Sequence, residues 1–182
     1  MLMDSQLNFS NGQAITATAA STYTIDLLTG DKLTTASDNF VTGAGSNVIG
    51  NSTVFGEDLG IGRGKGTPRI VVTSGTGTPA AATSLVIAFQ GAADPGSSGA
   101  VSGLSMIPYI ETRAIPLASI LASKRLASFD WPKREVQAAL PRFINIGYTV
   151  AGSNFTGLTV YADVTLGPDD ANGTLGQYPS NY

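Results

Sequence analysis

Two β-branched runs near the C-terminus constrain this chain more than any other feature. RFINIGYTV (142–150) and LTVYADVTL (158–166) alternate aliphatic or aromatic residues with small or polar ones, and neither shows a helical stripe. The seven residues between them, AGSNFTG, are turn formers, so the spacing predicts an antiparallel hairpin. Other runs share the period. STYTIDLL (21–28) places Tyr23, Ile25 and Leu27 on one face before a turn at 29–31. RIVVTS (69–74) and SLVIAFQGA (84–92) read as strands on either side of a Gly/Thr/Pro-rich connection. IPYIETRAIPL (107–117) reads as a strand broken by Pro108 and Pro116, hence as an edge or a bent strand. Helical character is confined to residues 117–140, where Lys133 to Leu140 could form two turns behind Pro132.

Short strands, long Gly/Pro loops and almost no helix predict an all-β chain, a jelly-roll-like antiparallel β-sandwich. Residues 1–20 are small and polar with apolar anchors at Leu2, Leu7, Phe9 and Ile15, the pattern of an extended N-terminal arm able to dock on a partner. Residues 21–166 form the single β-sandwich domain, and 167–182 revert to turn composition as a C-terminal tail. Residues 34–56 form a long Gly/Ser/Thr/Asn-rich insertion carrying buriable groups such as Phe40 and Phe55.

The chain has 182 residues with neither cysteine nor histidine, which excludes disulfides, thiolate or ordinary zinc centres, and every nucleophile activated by imidazole. A net charge of −3 offers no footprint for nucleic acid. No apolar run is long enough to span a bilayer, and MLMDSQLNFSNGQAITATAAS lacks the basic segment and apolar core of a secretory leader. Charged residues make up only 13% of the chain. Its surface must therefore be covered largely by Ser, Thr, Asn, Gly and Ala, which can be buried against another protein without stripping water from many ions.

DLGIGRGKGTPRIVVTS (58–74) invites comparison with phosphate-binding loops. Counting from Gly60, the P-loop pattern requires glycine at 65, where Lys65 stands; the dinucleotide pattern fails at the same place. A strand follows rather than a helix, and Pro68 removes a backbone donor. Arg63 and Lys65 are better read as cations on a glycine-rich protrusion, suited to carboxylates of a neighbouring subunit. The basic pairs Lys124-Arg125 and Lys133-Arg134 read as solvated loop charges.

Glu111 and Asp163 sit within predicted strands and could face one cavity as a glycosidase would require, but a single tryptophan, Trp131, leaves little to stack sugar rings. Asp169, Asp170 and Asn172 before Gly173 lack the alternating spacing and closing glutamate of a calcium loop. Neither cofactor nor metal is expected, and the chain reads as non-enzymatic.

Four stretches, in this order, carry a resemblance: MDSQLNFSNGQAITATAAS, STYTIDL, EDLGIGRGKGTPRIVV and LPRFINIGYTVAGSNFTGLTVYADVTL. In them the chain resembles the cement proteins of tailed phages, the capsid-stabilising family typified by the Bordetella phage cement protein. The connection from Gly30 to Gly56 is longer than that family's pattern. The resemblance implies a jelly-roll subunit on the virion exterior, made in the host cytoplasm, with the phage major capsid protein as partner. It implies homodimers, a trimer being the alternative, and no catalytic residues. Leu2, Leu7, Phe9, Arg63 and Lys65 are the residues that physical reasoning offers for capsid or subunit contact. The rival readings are a carbohydrate-binding module or fibre-type receptor-binding sandwich.

Overall fold

The computed structural model describes residues 2–27, 29–41, 69–130 and 141–166. In chain order the strands are β1 (Leu2–Ala14), β2 (Ala19–Ala20), β3 (Tyr23–Asp26), β4 (Lys32–Thr34), β5 (Asn39–Phe40), β6 (Arg69–Ser74) and β7 (Ala80–Ala92). They continue with β8 (Gly99–Ala100), β9 (Ile107–Glu111), β10 (Ile115–Pro116), β11 (Arg125–Asp130), β12 (Phe143–Thr156) and β13 (Thr159–Leu166). One sheet has the order β1-β13-β6-β11, and the other β10-β7-β12-β3-β4, with β9 also on β7 and β2 on β12. The ladders among the described residues are antiparallel. The chain is an antiparallel β-sandwich, as its composition and spacing predict.

The core follows from the period of two. On β12, Ile144, Ile146 and Tyr148 point between the sheets; on β13, Val160, Ala162 and Val164 meet them from the other side, with Ile70, Val72, Leu85, Ile87 and Phe89 in the same cluster. Each such side chain contributes about 1.5–3 kcal/mol relative to an exposed position. The outer face of β12 is covered as well. Phe143 packs with Phe40, Ala92 and Val101, and the Phe40 and Phe143 ring centroids lie 4.8 Å apart. The β5–β8 pair thus forms a small second layer over one end of the larger sheet. A strand buried on both faces needs apolar residues at successive positions, which explains why β12 reads as nearly continuous.

The expected hairpin is not there. β12 pairs with β7, β3 and β2, whereas β13 pairs with β1 and β6, so the two runs lie in opposite sheets. Residues 151–156, expected as a loop, continue β12 alongside β7 through two register shifts. The crossing is made at Gly157, with φ +71° and the Thr78 carbonyl oxygen 2.7 Å from where a Cβ would lie, so a side chain is excluded there. Residues 125–130, expected within the helix-flavoured stretch, form a strand on β6. Lys133–Leu140 and Trp131 lie outside the described residues, as does the insertion beyond Val41.

The expected arm is also corrected. Residues 2–14 are extended, but as the edge strand of the four-stranded sheet, running from Leu2 opposite Leu166 to Ala14 opposite Thr159. Phe9 and Ile15 are buried in the main core. Phe9 is therefore a core residue and offers nothing to a partner.

At one end, Arg142 ties several loops together. Its side chain is 3% exposed, and its Nη2 lies 2.8 Å from Asp26 Oδ2. Nε donates to both Asp26 carboxylate oxygens at 3.1 and 3.2 Å, Nη1 to Asp94 Oδ2 at 3.2 Å, and Nη2 to the Val41 carbonyl oxygen at 2.7 Å. The guanidinium also lies 4.6 Å from the Phe143 ring centroid.

Two stability predictions follow from these placements. Arg142→Ala strands the Asp26 carboxylate in the interior and is expected to cost about 3–5 kcal/mol in urea-monitored unfolding. Phe9→Ala is expected to cost about 3–5 kcal/mol in the same assay; a loss below 1 kcal/mol would show that β1 is dispensable to the core.

Candidate interaction surface

Strand β9 breaks the rule that apolar strand residues bury at least one face. Ile107, Tyr109 and Ile110 are 63%, 42% and 40% exposed, and Pro108 and Glu111 between and beside them are exposed too. Side chains alternate across a strand, so exposure at all five positions leaves both faces of β9 open. The reason lies in the sheet order. Together with β10, β9 runs along the outer edge of β7: Ile115 and Pro116 pair with Leu85 and Ser84, while Glu111 and Ile110 pair with Ala88 and Phe89. Between them the chain bends, with the Thr112 amide donating to the Ile87 carbonyl oxygen and the Ile87 amide to Thr112 Oγ1. Among the described residues β9 has one ladder partner.

Local chemistry holds this edge in shape. The Tyr109 ring lies 6.2 Å from that of Phe89 and covers Gly91, where an added Cβ would come within 2.4 Å of Tyr109 Cε2 and 2.7 Å of Pro141 Cβ. Gly91 is thus small so that Tyr109 can lie against the backbone. That partial burial raises the Tyr109 hydroxyl pKa above its ordinary value. Pro108 removes a backbone donor, and Glu111 and Arg113 place exposed charges at one end. These are the devices by which an exposed edge avoids indiscriminate strand pairing. What remains is a small apolar ridge with an amphipathic aromatic at its centre and charge at its rim, the composition favoured where proteins meet.

The residues named from sequence lie elsewhere. Leu2 and Leu7 are in β1, Phe9 is in the core, and Arg63 and Lys65 lie outside the described residues. The pattern of two prolines bracketing a β-branched run pointed to an edge strand at 107–117 without identifying it as a contact surface. Glu111 and Asp163 are not brought together. Glu111 is exposed at the edge of one sheet, and Asp163 lies on the outward face of β13 in the other, because its neighbours Ala162 and Val164 fill the core between them. Lys124 is exposed where the chain turns into β11, and Lys133 and Arg134 lie outside the described residues. Among the described residues no three His, Cys, Asp or Glu side chains are grouped to hold a metal ion, and no helix is long and apolar enough to cross a membrane. Asp169, Asp170 and Asn172 lie outside the described residues.

No protein-family model matches the chain, and no curated protein matches it significantly.

Because Ile107 is 63% exposed, replacing it with Lys should shift unfolding free energy by no more than about 1 kcal/mol. A larger loss in denaturant titration would show that the ridge is structural.

Proposed function

We propose that this chain is a non-enzymatic decoration protein that stabilises the outer surface of a tailed-phage head by bridging major capsid subunits. The observation that carries the reading is strand β9, whose apolar residues Ile107, Tyr109 and Ile110 are all exposed, on a chain with few charged residues. Such a surface is built to be covered by another protein. The resemblance of its sequence stretches to the phage cement proteins supplies the identity of that protein.

The sandwich suits this role. Leaving aside the short strands, β1, β6, β11 and β13 fill one sheet and β3, β7, β9 and β12 the other, in the orders β1-β13-β6-β11 and β3-β12-β7-β9. Two such four-stranded sheets, filled by a chain that passes back and forth between them, support the jelly-roll reading. A rigid scaffold of this kind presents its edge strands at fixed positions. The partner is then gripped by shape, and no proton transfer or metal is required. A homodimer on the head gains effective concentration from its second grip, so modest contacts at each site suffice. An acidic subunit also has no attraction to packaged DNA, which fits the exterior of the virion. Arg63 and Lys65 remain candidates for contact with capsid carboxylates, each exposed pair contributing about 0–1 kcal/mol.

The reading is tested with purified protein and heads that lack it. Binding is expected to saturate at a lattice-limited number of copies, and occupied heads should withstand higher temperature before releasing DNA. The double Ile107→Lys, Ile110→Lys variant should bind at least tenfold more weakly. Failure of wild-type protein to associate with heads, or retention on a glycan surface instead, would overturn the proposal.

A further inference from the structure

Asn8 and Asp163 are register partners across the ladder of β1 and β13, at a point where β1 changes register on both sides of Asn8. Asn8 Nδ2 donates to Asp163 Oδ1 in a very short contact and to the Ser10 carbonyl oxygen at 3.2 Å. Both amide hydrogens are therefore used. The amide oxygen, Oδ1, is buried and accepts no hydrogen bond. Turning the amide over would not help, since it would set the oxygen against two acceptors. Buried amide oxygens are seldom left this way. The carboxyl across the ladder already meets the amide nitrogen of Asn8, and with a proton it becomes a donor for the oxygen of the same amide.

We propose that Asp163 is a proton-carrying carboxyl in the folded protein, closing a two-point acid–amide pair with Asn8 that latches β1 onto β13. Asn8 Nδ2–H donates to one carboxyl oxygen, and the Asp163 O–H donates to Asn8 Oδ1. One proton then accounts for the buried acceptor.

The surroundings favour that proton. Burial raises the pKa of Asp163, and the Asn8 N–H and the positive charge of Lys32 offset this only in part. Lys32, on β4, holds its Nζ 4.2 Å from the Tyr23 ring centroid. Tyr148, on β12, stays neutral because burial raises its pKa, with Asp163 adding a smaller push in the same direction; its hydroxyl pairs with Ser10 Oγ at 3.0 Å. On β6, Asp163 faces the uncharged Val71, and Arg69 stands opposite Thr165 two positions along the same face; Tyr161 lies two positions along in the other direction.

The sign of the pH dependence is fixed by this arrangement. The folded chain holds the proton more tightly than the unfolded chain. The stabilising contribution is complete below the ordinary aspartate value of about 3.9 and is lost as pH rises through the raised folded value. Ionisation sets a carboxylate oxygen against the amide oxygen and leaves one hydrogen bond where there were two, at the bulged centre of β1.

Carboxyl carbon chemical shifts of the full chain, followed by NMR across pH, give the Asp163 midpoint directly. It is expected above the ordinary aspartate value of about 3.9. A midpoint at or below that value would overturn the proposal. Asp163→Asn supplies a non-titrating N–H to the same Oδ1. Its unfolding midpoint relative to wild type should rise steadily from pH 4 to pH 8. A gap that does not change with pH, or a variant less stable than wild type at pH 8, would equally overturn it.

Discussion

A guanidinium beyond the reach of water has to be surrounded by acceptors, and the end of the sandwich that holds Arg142 is organised by that requirement. Its acceptors come from three parts of the chain: Asp26 at the end of β3, Asp94 after β7 and the Val41 carbonyl after β5. None can leave without exposing a charge to an apolar interior. The flanking residues join in. The Arg142 amide donates to the Ala92 carbonyl oxygen at 2.9 Å, its carbonyl oxygen accepts from the Leu27 amide at 2.7 Å, and the Phe143 ring packs on Phe40. A buried ion pair need not add net stability over apolar residues of the same volume. Here it brings groups from three parts of the chain to one point beside the β5–β8 layer.

Sequence periodicity reports which way a side chain faces but not which strand lies beside it. β6 is legible to the residue because Ile70 and Val72 alternate cleanly between flanking turn residues. β12 and β13 are legible as strands for the same reason. Their pairing was not, because a short Gly-containing connection can fold a chain back within a sheet or carry it across to the facing one. β1 was hidden differently. Three register shifts along its ladder break the period of two, so Phe9 and Ile15 read as isolated anchors rather than one face. Arg142 gave no signal at all: its role comes from Asp26, 116 positions away in the chain.

The proposed contact surface was half-legible. Pro108 and Pro116 mark residues 107–117 as an edge, and that is where β9 and β10 lie. The apolar residues of β9 stay exposed because β7 is its one ladder partner among the described residues. The low charge of the chain bears on the same point. With few ions on the surface, water is displaced cheaply from Ser, Thr and Ala, and an exposed ridge of Ile and Tyr can dominate a contact of modest area.

The sheet edges are treated in opposite ways, and the difference separates stability from recognition. The β1 edge is sewn to the neighbouring sheet by Gln13, whose Nε2 donates to the Ala20 carbonyl oxygen at 2.8 Å and whose Oε1 accepts from the Thr22 amide at 2.8 Å and from Ser10 Oγ at 2.7 Å. Ser10 in turn reaches Tyr148 in the facing sheet. These bonds close the sandwich along that side, and they make β1 part of the fold. At β9 no comparable stitching is found among the described residues. That edge is guarded only by a proline and exposed charges, which discourage a passing strand but not a surface shaped to fit it. An edge that is protected against aggregation yet left apolar on both faces is consistent with a protein whose work is to be covered.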